Sequence, residues 1–354
     1  MEDYRKIVES GALKFTIPAA TLYLALAASV TWAGMKEPYK ASELPLGLEA
    51  SEYKIPKDNP MTKDKIELGR ALYFDVRLSA NNRISCATCH APEIGFTDGQ
   101  PVSQGINRQQ GGRSAPTVIN RAFSAVQFWD GRAGSLEEQA KGPLTNPIEM
   151  GMPSNYAVVE KLKSIKGYRK WFEKVFKKEV NIDDFAKAVA AFERTVLSGN
   201  SPYDRYIAGD KNAMTASQVR GLKLFEGKAR CATCHSGFNF TDEDYHNLGV
   251  GWDSGSADLG RYMVTKDSDD MGAFKTPTLR DVSNTAPYMH DGSDATLEQV
   301  VEFYNKGGIK NPSLDPLMEP LNLSAAEVKN LAAFMKALDG EGWRNISPPE
   351  RFPE

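Results

Sequence analysis

Two identical pentapeptides, Cys86-Ala-Thr-Cys-His90 and Cys231-Ala-Thr-Cys-His235, use all four cysteines and two of the four histidines of the chain. Cys-x-x-Cys-His is the attachment signal for c-type haem. The spacing follows from chemistry. Two thiols three residues apart form thioethers with the two vinyl groups of one haem, and the adjacent histidine meets the iron as proximal ligand. Paired redox dithiols or a shared four-cysteine zinc site would use the same cysteines. Neither explains a histidine directly after each second cysteine. The expectation is two covalently bound haem c groups, on Cys86, Cys89 and His90 and on Cys231, Cys234 and His235. Attachment of this kind takes place outside the cytoplasm.

The elements that must hold these motifs are helical. Each motif follows a short apolar helix pattern: Ile66, Leu68, Leu72, Tyr73 and Phe74 before the first, Val219, Leu222, Leu224 and Phe225 before the second. The loops that follow are also alike, Cys86 to Asp98 against Cys231 to Asp242. Further helical stripes run over Tyr156–Phe176 and Ile182–Leu197, and a last one carries Val328, Leu331, Phe334, Met335 and Leu338. Capping boxes are expected at Ser135 with Glu138, Thr215 with Gln218, Thr296 with Gln299 and Ser324 with Glu327. Strand alternation is absent. The pattern predicts a mainly α fold of two cytochrome c-like haem domains related by internal duplication, spanning 61–205 and 206–354.

Residues 1–34 read as a signal peptide or an N-terminal membrane anchor. Phe15 to Met35 carries no charge and as a helix of about 20 residues reaches roughly 30 Å, enough to span a bilayer. Small residues from Ala27 to Gly34 also offer a cleavage site. Either way the body of the chain lies in the periplasm, soluble or tethered to the inner membrane. Residues 35–60 form a polar, Pro-rich linker. A net charge of −3 over 354 residues, without a basic stripe, argues against a nucleic-acid partner.

A series of segments carries a specific resemblance. They are Leu68-Gly-Arg-Ala-Leu-Tyr-Phe-Asp75, Ala115-Pro-Thr-Val-Ile-Asn120, Gln127-Phe-Trp-Asp-Gly-Arg132, Glu138-Gln-Ala-Lys-Gly-Pro143, Asn146-Pro-Ile-Glu-Met150, Thr276-Pro-Thr-Leu-Arg280 and Thr285-Ala-Pro-Tyr-Met-His-Asp-Gly292. Over roughly residues 60–340 the chain resembles the bacterial dihaem cytochrome c peroxidases, and within them the MauG-type branch. The resemblance implies a peroxidatic first haem with Gln139, Pro143 and Glu149 in its distal pocket. Glu149 would shuttle a proton between the peroxide oxygens and Gln139 would orient the substrate. Trp129 matches the tryptophan between the haems. The second haem would be the electron-transfer one, with Tyr304 as sixth ligand where ordinary relatives carry methionine. A phenolate favours ferric and higher-valent iron. Met263, Met271, Met289 and Met318 are rival ligands.

Many relatives carry a histidine in the loop before Arg-x-Ala-Pro-Thr that caps the first iron until reductive activation. Here the loop Gln104 to Ser114 holds none, and Ile106 stands near the aligned position. The resemblance also implies a calcium ion between the domains, with Ser114 in the asparagine position and carbonyls from near Lys275 and Pro277. His290 would hydrogen-bond near a haem pocket, and His246 reads as a loop histidine. The function expected is an enzyme, a haem peroxidase that reduces hydrogen peroxide through a high-valent haem intermediate without reductive activation. Its electrons would come from a small periplasmic donor, a cytochrome c or cupredoxin. The alternative is MauG-like, peroxide-dependent oxidation of residues in a partner protein. Ala229 stands two residues before Cys231, where that arrangement uses a tryptophan, which weakens the alternative.

Overall fold

The computed structural model describes residues 44–255 and 257–354; the Phe15–Met35 run lies outside them. Among the described residues no helix is long and apolar enough to cross a membrane. The chain is mostly helical, with strands of two residues each.

The first core is built on α1 (Lys63–Phe74), started by Thr62, whose side chain accepts a hydrogen bond from the Lys65 amide. The haem motif forms the short α2 (Cys86–Cys89). Then come α3 (Leu136–Gln139), α4 (Gly142–Thr145), α5 (Asn155–Ser164), α6 (Lys166–Phe176) and α7 (Ile182–Glu193). Helices α1 and α7 cross in close contact at Gly69. A Cβ there would lie 1.9 Å from the Ala188 carbonyl oxygen, so only glycine lets the two backbones approach this closely. The long helix expected over 156–176 is broken at Ile165, which is extended (φ −93, ψ 108). At the start of α6 the Gly167 amide donates to the Glu354 carbonyl, and a Cβ on Gly167 would meet Pro353. The helix gives way where residues 343–354 dock.

The chain then passes through β1 (Ser198–Gly199) and α8 (Pro202–Ile207) into a second core. Here α9 (Ala216–Glu226) packs on α12 (Ala325–Lys336), again across a glycine: a Cβ on Gly221 would lie 2.0 Å from the Asn330 carbonyl oxygen. Strands β2 (Tyr245–His246) and β3 (Phe274–Lys275) pair antiparallel, with the short α10 (Tyr262–Thr265) between them and α11 (Leu297–Asn305) after them. The boxes at Thr215, Thr296 and Ser324 are formed in both directions. At Ser135 the serine caps the Glu138 amide, while the Glu138 carboxylate reaches the Gly134 amide instead.

Two segments cross between the cores. Residues 44–60 are packed: Tyr53 and Asn59 are buried, the Tyr53 hydroxyl donates to the Arg194 carbonyl, and the Gly47 carbonyl accepts from Arg280. Beyond α12, β4 (Glu341–Gly342) pairs with β1, and Trp343 and Ile346 complete the first core.

Candidate haem sites

In the first motif the Ser85 hydroxyl caps the Thr88 amide and the Thr88 hydroxyl accepts from the Ser85 amide, which winds Cys86–Cys89 into a single helical turn. His90 leaves that turn with Nδ1 3.3 Å from the Phe96 carbonyl, and its own carbonyl accepts from the Tyr73 hydroxyl at 2.8 Å. In the second, Cys231–Thr233 form a 3-10 turn and His235 places Nδ1 3.1 Å from the Phe240 carbonyl. Both phenylalanines take positive φ, 58° and 53°, which turns each carbonyl back onto its imidazole. An Nδ1–H held on a carbonyl leaves Nε2 free for iron. Burial lowers the pKa of both histidines, keeping the neutral, ligating form. It raises the thiols of Cys86 and Cys231, and pushes Cys89 up to about 11. Thiols held neutral are poor redox nucleophiles and poor zinc ligands. The two pairs also belong to separate cores. The donor chemistry therefore fits haem c at both motifs.

In the core that Cys86 packs against, which holds Ala140 and Leu144, α3 ends on Gln139 and α4 begins with Gly142-Pro143. The Glu149 carboxylate accepts from the Asn146 amide at 2.7 Å. Burial raises its pKa, while the Arg132 guanidinium and Asn146 pull the other way. Its charge bears on Cys86 and Cys89, so it lies near this motif. The loop from Gln104 is closed down here. Gln104 bridges Gln110, the Ile106 amide donates to the Glu149 carbonyl at 2.8 Å, and the Ile106 side chain packs against Gly151.

The second motif opens on an apolar cavity of about 260 Å³. Cys231, Cys234, His235 and Tyr304 all line it, as do Trp129 and His290. Tyr304 lies one turn of α11 beyond Val300, which faces the same space. Of the rival methionines, Met289 and Met318 line the cavity; Met263 is 53% exposed and Met271 does not reach it. Trp129 follows Phe128, a positive-φ residue, in a turn closed by the Gln127–Ala133 bridge. Its indole N–H donates to the Ser114 carbonyl at 2.9 Å, and its own carbonyl accepts from the Lys275 amide at 2.8 Å. His290 stacks on Phe274 with ring centroids 3.7 Å apart. His246 is bracketed by Asp315 at 2.6 Å and Asp242 at 3.1 Å. Cys234, Asp242 and His246 bring ligand atoms within 4.8 Å, but a thioether on Cys234 removes that thiol from any metal set.

The donors expected for calcium do not fit one. The side-chain donor would be the Ser114 hydroxyl, a poorer ligand than the amide oxygen of an asparagine. The Pro277 carbonyl faces the His235 ring. Lys275 is buried and brings an ammonium, which repels a second cation. Sequence reasoning missed a charged cluster beside the cavity: Arg121, Lys275, Glu243 and the buried Glu193. Glu193 had a signal, since it continues the apolar stripe of Phe185 and Val189 one turn further.

The family model for di-haem cytochrome c peroxidase matches residues 63–212. A methylamine utilization protein MauG of Methylorubrum extorquens is 44% identical over 290 residues, 81% of each chain. A cytochrome c551 peroxidase of Nitrosomonas europaea is 38% identical over 333 residues, 93% of each. Among solved structures, a MauG-like protein associated with microbial copper homeostasis superposes with a TM-score of 0.80 at 33% identity, over 87% of this chain and 99% of that one. The motifs, their matching imidazole supports and these likenesses agree: the chain belongs to the di-haem cytochrome c peroxidase family, MauG-type proteins included, and is a haem peroxidase.

Proposed function

We propose that this peroxidase reduces hydrogen peroxide to water at the first haem site in its resting, fully ferric form. The observation that supports this is the docked loop from Gln104 to Ser114. It carries no histidine, and it is tied through Ile106 to the backbone of Glu149. Bound haem supplies the redox-active iron. Glu149 takes a proton from one peroxide oxygen and delivers it to the other, the leaving one; its raised pKa suits both roles. Gln139 orients the substrate through its amide. Pro143 presents a ring without an N–H or any ligating atom. Each turnover takes up two protons and two electrons and yields two waters.

Cys231, Cys234 and His235 would hold a second haem that supplies the electrons; Tyr304, which lines the same cavity, would offer its phenolic oxygen to that iron, and Trp129, also in its wall, would stand on the route to the first site. The source of the electrons is a small periplasmic cytochrome c or cupredoxin. The periplasm follows from haem c attachment, with residues 1–34 as signal or anchor. Residues 61–205 and 206–354 form two cytochrome c-like units derived from one by duplication. Their glycine-crossed helix pairs and positive-φ phenylalanines support this, with residues 343–354 lent back to the first.

Tyr304 in the cavity, its hydroxyl making no hydrogen bond to another described residue, favours a second reading, oxidation of residues in a partner protein. Against it, Ala229 is buried and offers no aromatic step toward the surface.

The test is electron paramagnetic resonance of the resting protein, followed by rapid mixing with peroxide. The proposal expects one high-spin and one low-spin ferric signal and a reaction without added reductant. Two low-spin signals, with reactivity only after half-reduction, would overturn it. Donor oxidation at two equivalents per peroxide separates small-donor turnover from partner oxidation.

A further inference from the structure

Each haem motif is followed further along the chain by a Pro-Thr pair, Pro116-Thr117 and Pro277-Thr278. The two threonines make the same hydrogen bonds. The Thr117 hydroxyl donates to the Gly95 carbonyl at 2.6 Å and accepts from the Ile119 amide at 3.1 Å. The Thr278 hydroxyl donates to the Asn239 carbonyl at 2.7 Å and accepts from the Arg280 amide at 3.1 Å. It also lies 3.1 Å from the Asn239 side-chain oxygen. In both, the amide taken from two residues on occupies one lone pair and leaves the O–H to point at the carbonyl.

Gly95 and Asn239 directly precede Phe96 and Phe240, the two positive-φ residues whose carbonyls face the His90 and His235 imidazoles. A bulky residue keeps positive φ only where its surroundings over-determine it. The Gly95 carbonyl and the Phe96 amide belong to one planar peptide, and so do the Asn239 carbonyl and the Phe240 amide. Each peptide is held on both sides. The threonine takes its carbonyl, and its amide donates to Ala91 at 2.9 Å in the first turn and to Gly237 at 3.3 Å in the second. The threonine therefore fixes the peptide about which φ of the phenylalanine turns, and with it the direction of the next carbonyl. We propose that Thr117 and Thr278 are positioning residues that set how strongly His90 and His235 donate through Nδ1–H, and through that donation the potential of each iron. The inference rests on haem c at both motifs. It goes beyond that reading by naming the side chain that governs each imidazole.

An imidazole that donates well through Nδ1–H is a more basic ligand and favours ferric iron. Without the hydroxyl the turn relaxes, the donation weakens and the ferrous state gains. The experiment is a potentiometric titration of the holoprotein and of Thr117→Val, Thr117→Ser, Thr278→Val and Thr278→Ser, each first shown by pyridine haemochrome to hold two haem c. Fewer than two in the parent would sink the haem reading itself. With two present, Thr117→Val is expected to raise the first haem's midpoint and leave the second's, and Thr278→Val the reverse. Losing an outer-shell partner is worth about tenfold at the low end, which is about 59 mV for one electron. The serine variants keep the hydroxyl and are expected to keep the parent's potentials. Unchanged potentials in the valine variants would overturn the assignment. So would equal shifts of both haems in either one, or serine variants that shift as far as the valines. If a valine variant does not fold, alanine at that position removes the hydroxyl without setting a methyl against the carbonyl and carries the same test with the same expectations.

Discussion

Glu193 is a buried carboxyl that forms no ion pair with a described residue, and its removal should change how stability depends on pH. It is 5% exposed, and its Oε2 makes no hydrogen bond. The adjacent Arg194 is committed to Glu137, with two hydrogen bonds of 2.7 and 2.9 Å. Burial is the main cause that pushes Glu193 up to about 8 from an ordinary 4.5, with Arg194 opposing it. The folded chain therefore keeps a proton that the unfolded chain releases. Between these two pKa values stability falls as pH rises, by about 1.4 kcal/mol for each whole step of pH, roughly 5 kcal/mol in all. Above the folded pKa the loss is complete. Glu193→Gln removes the titration while keeping the shape. Guanidinium unfolding of both holoproteins from pH 5 to 9 is the assay. The parent should lose stability between pH 5 and 8 relative to the variant, and at pH 8.5 the variant should be the more stable by about 3–5 kcal/mol. Equal pH slopes in the two proteins would refute the reasoning.

Glu149→Gln should slow peroxide cleavage about 10²–10⁴-fold with both haems in place, because it removes the proton shuttle; stopped-flow mixing measures it. In the parent the same rate should fall as pH drops, with an inflection above the ordinary glutamate value, since Glu149 must be ionised to accept the first proton. Tyr304→Met should keep the covalent haem but raise the second haem's midpoint potential, because a thioether favours ferrous iron more than a phenolate does; an unchanged potential removes Tyr304 from the iron. Gly69→Ala should cost about 1–3 kcal/mol by overpacking the crossing of α1 and α7, read from denaturant midpoints.

Features with local causes were legible in the sequence. The two Cys-x-x-Cys-His turns, the threonine and serine caps and the apolar stripes of α7 and α12 depend on neighbours within one or two turns. Features that depend on distant partners were not. The break at Ile165 reflects a tail whose Glu354 carbonyl reaches Gly167. The linker expected over 35–60 looked polar, yet from residue 44 it is packed, because Tyr53 finds an acceptor just past α7 and Asn59 one in its middle. The meeting of Arg121 and Lys275 at one cavity wall appears only when strand β3 meets the turn of Trp129.

The docking of residues 343–354 sets an order on biosynthesis. Translation delivers Cys86 and Cys89 long before Trp343 and Ile346, and the first core lacks both residues until they arrive. Through that interval the core around the first motif is incompletely packed. The second motif has its whole core once α12 is made. The first unit is complete only when residues 343–354 have docked on it.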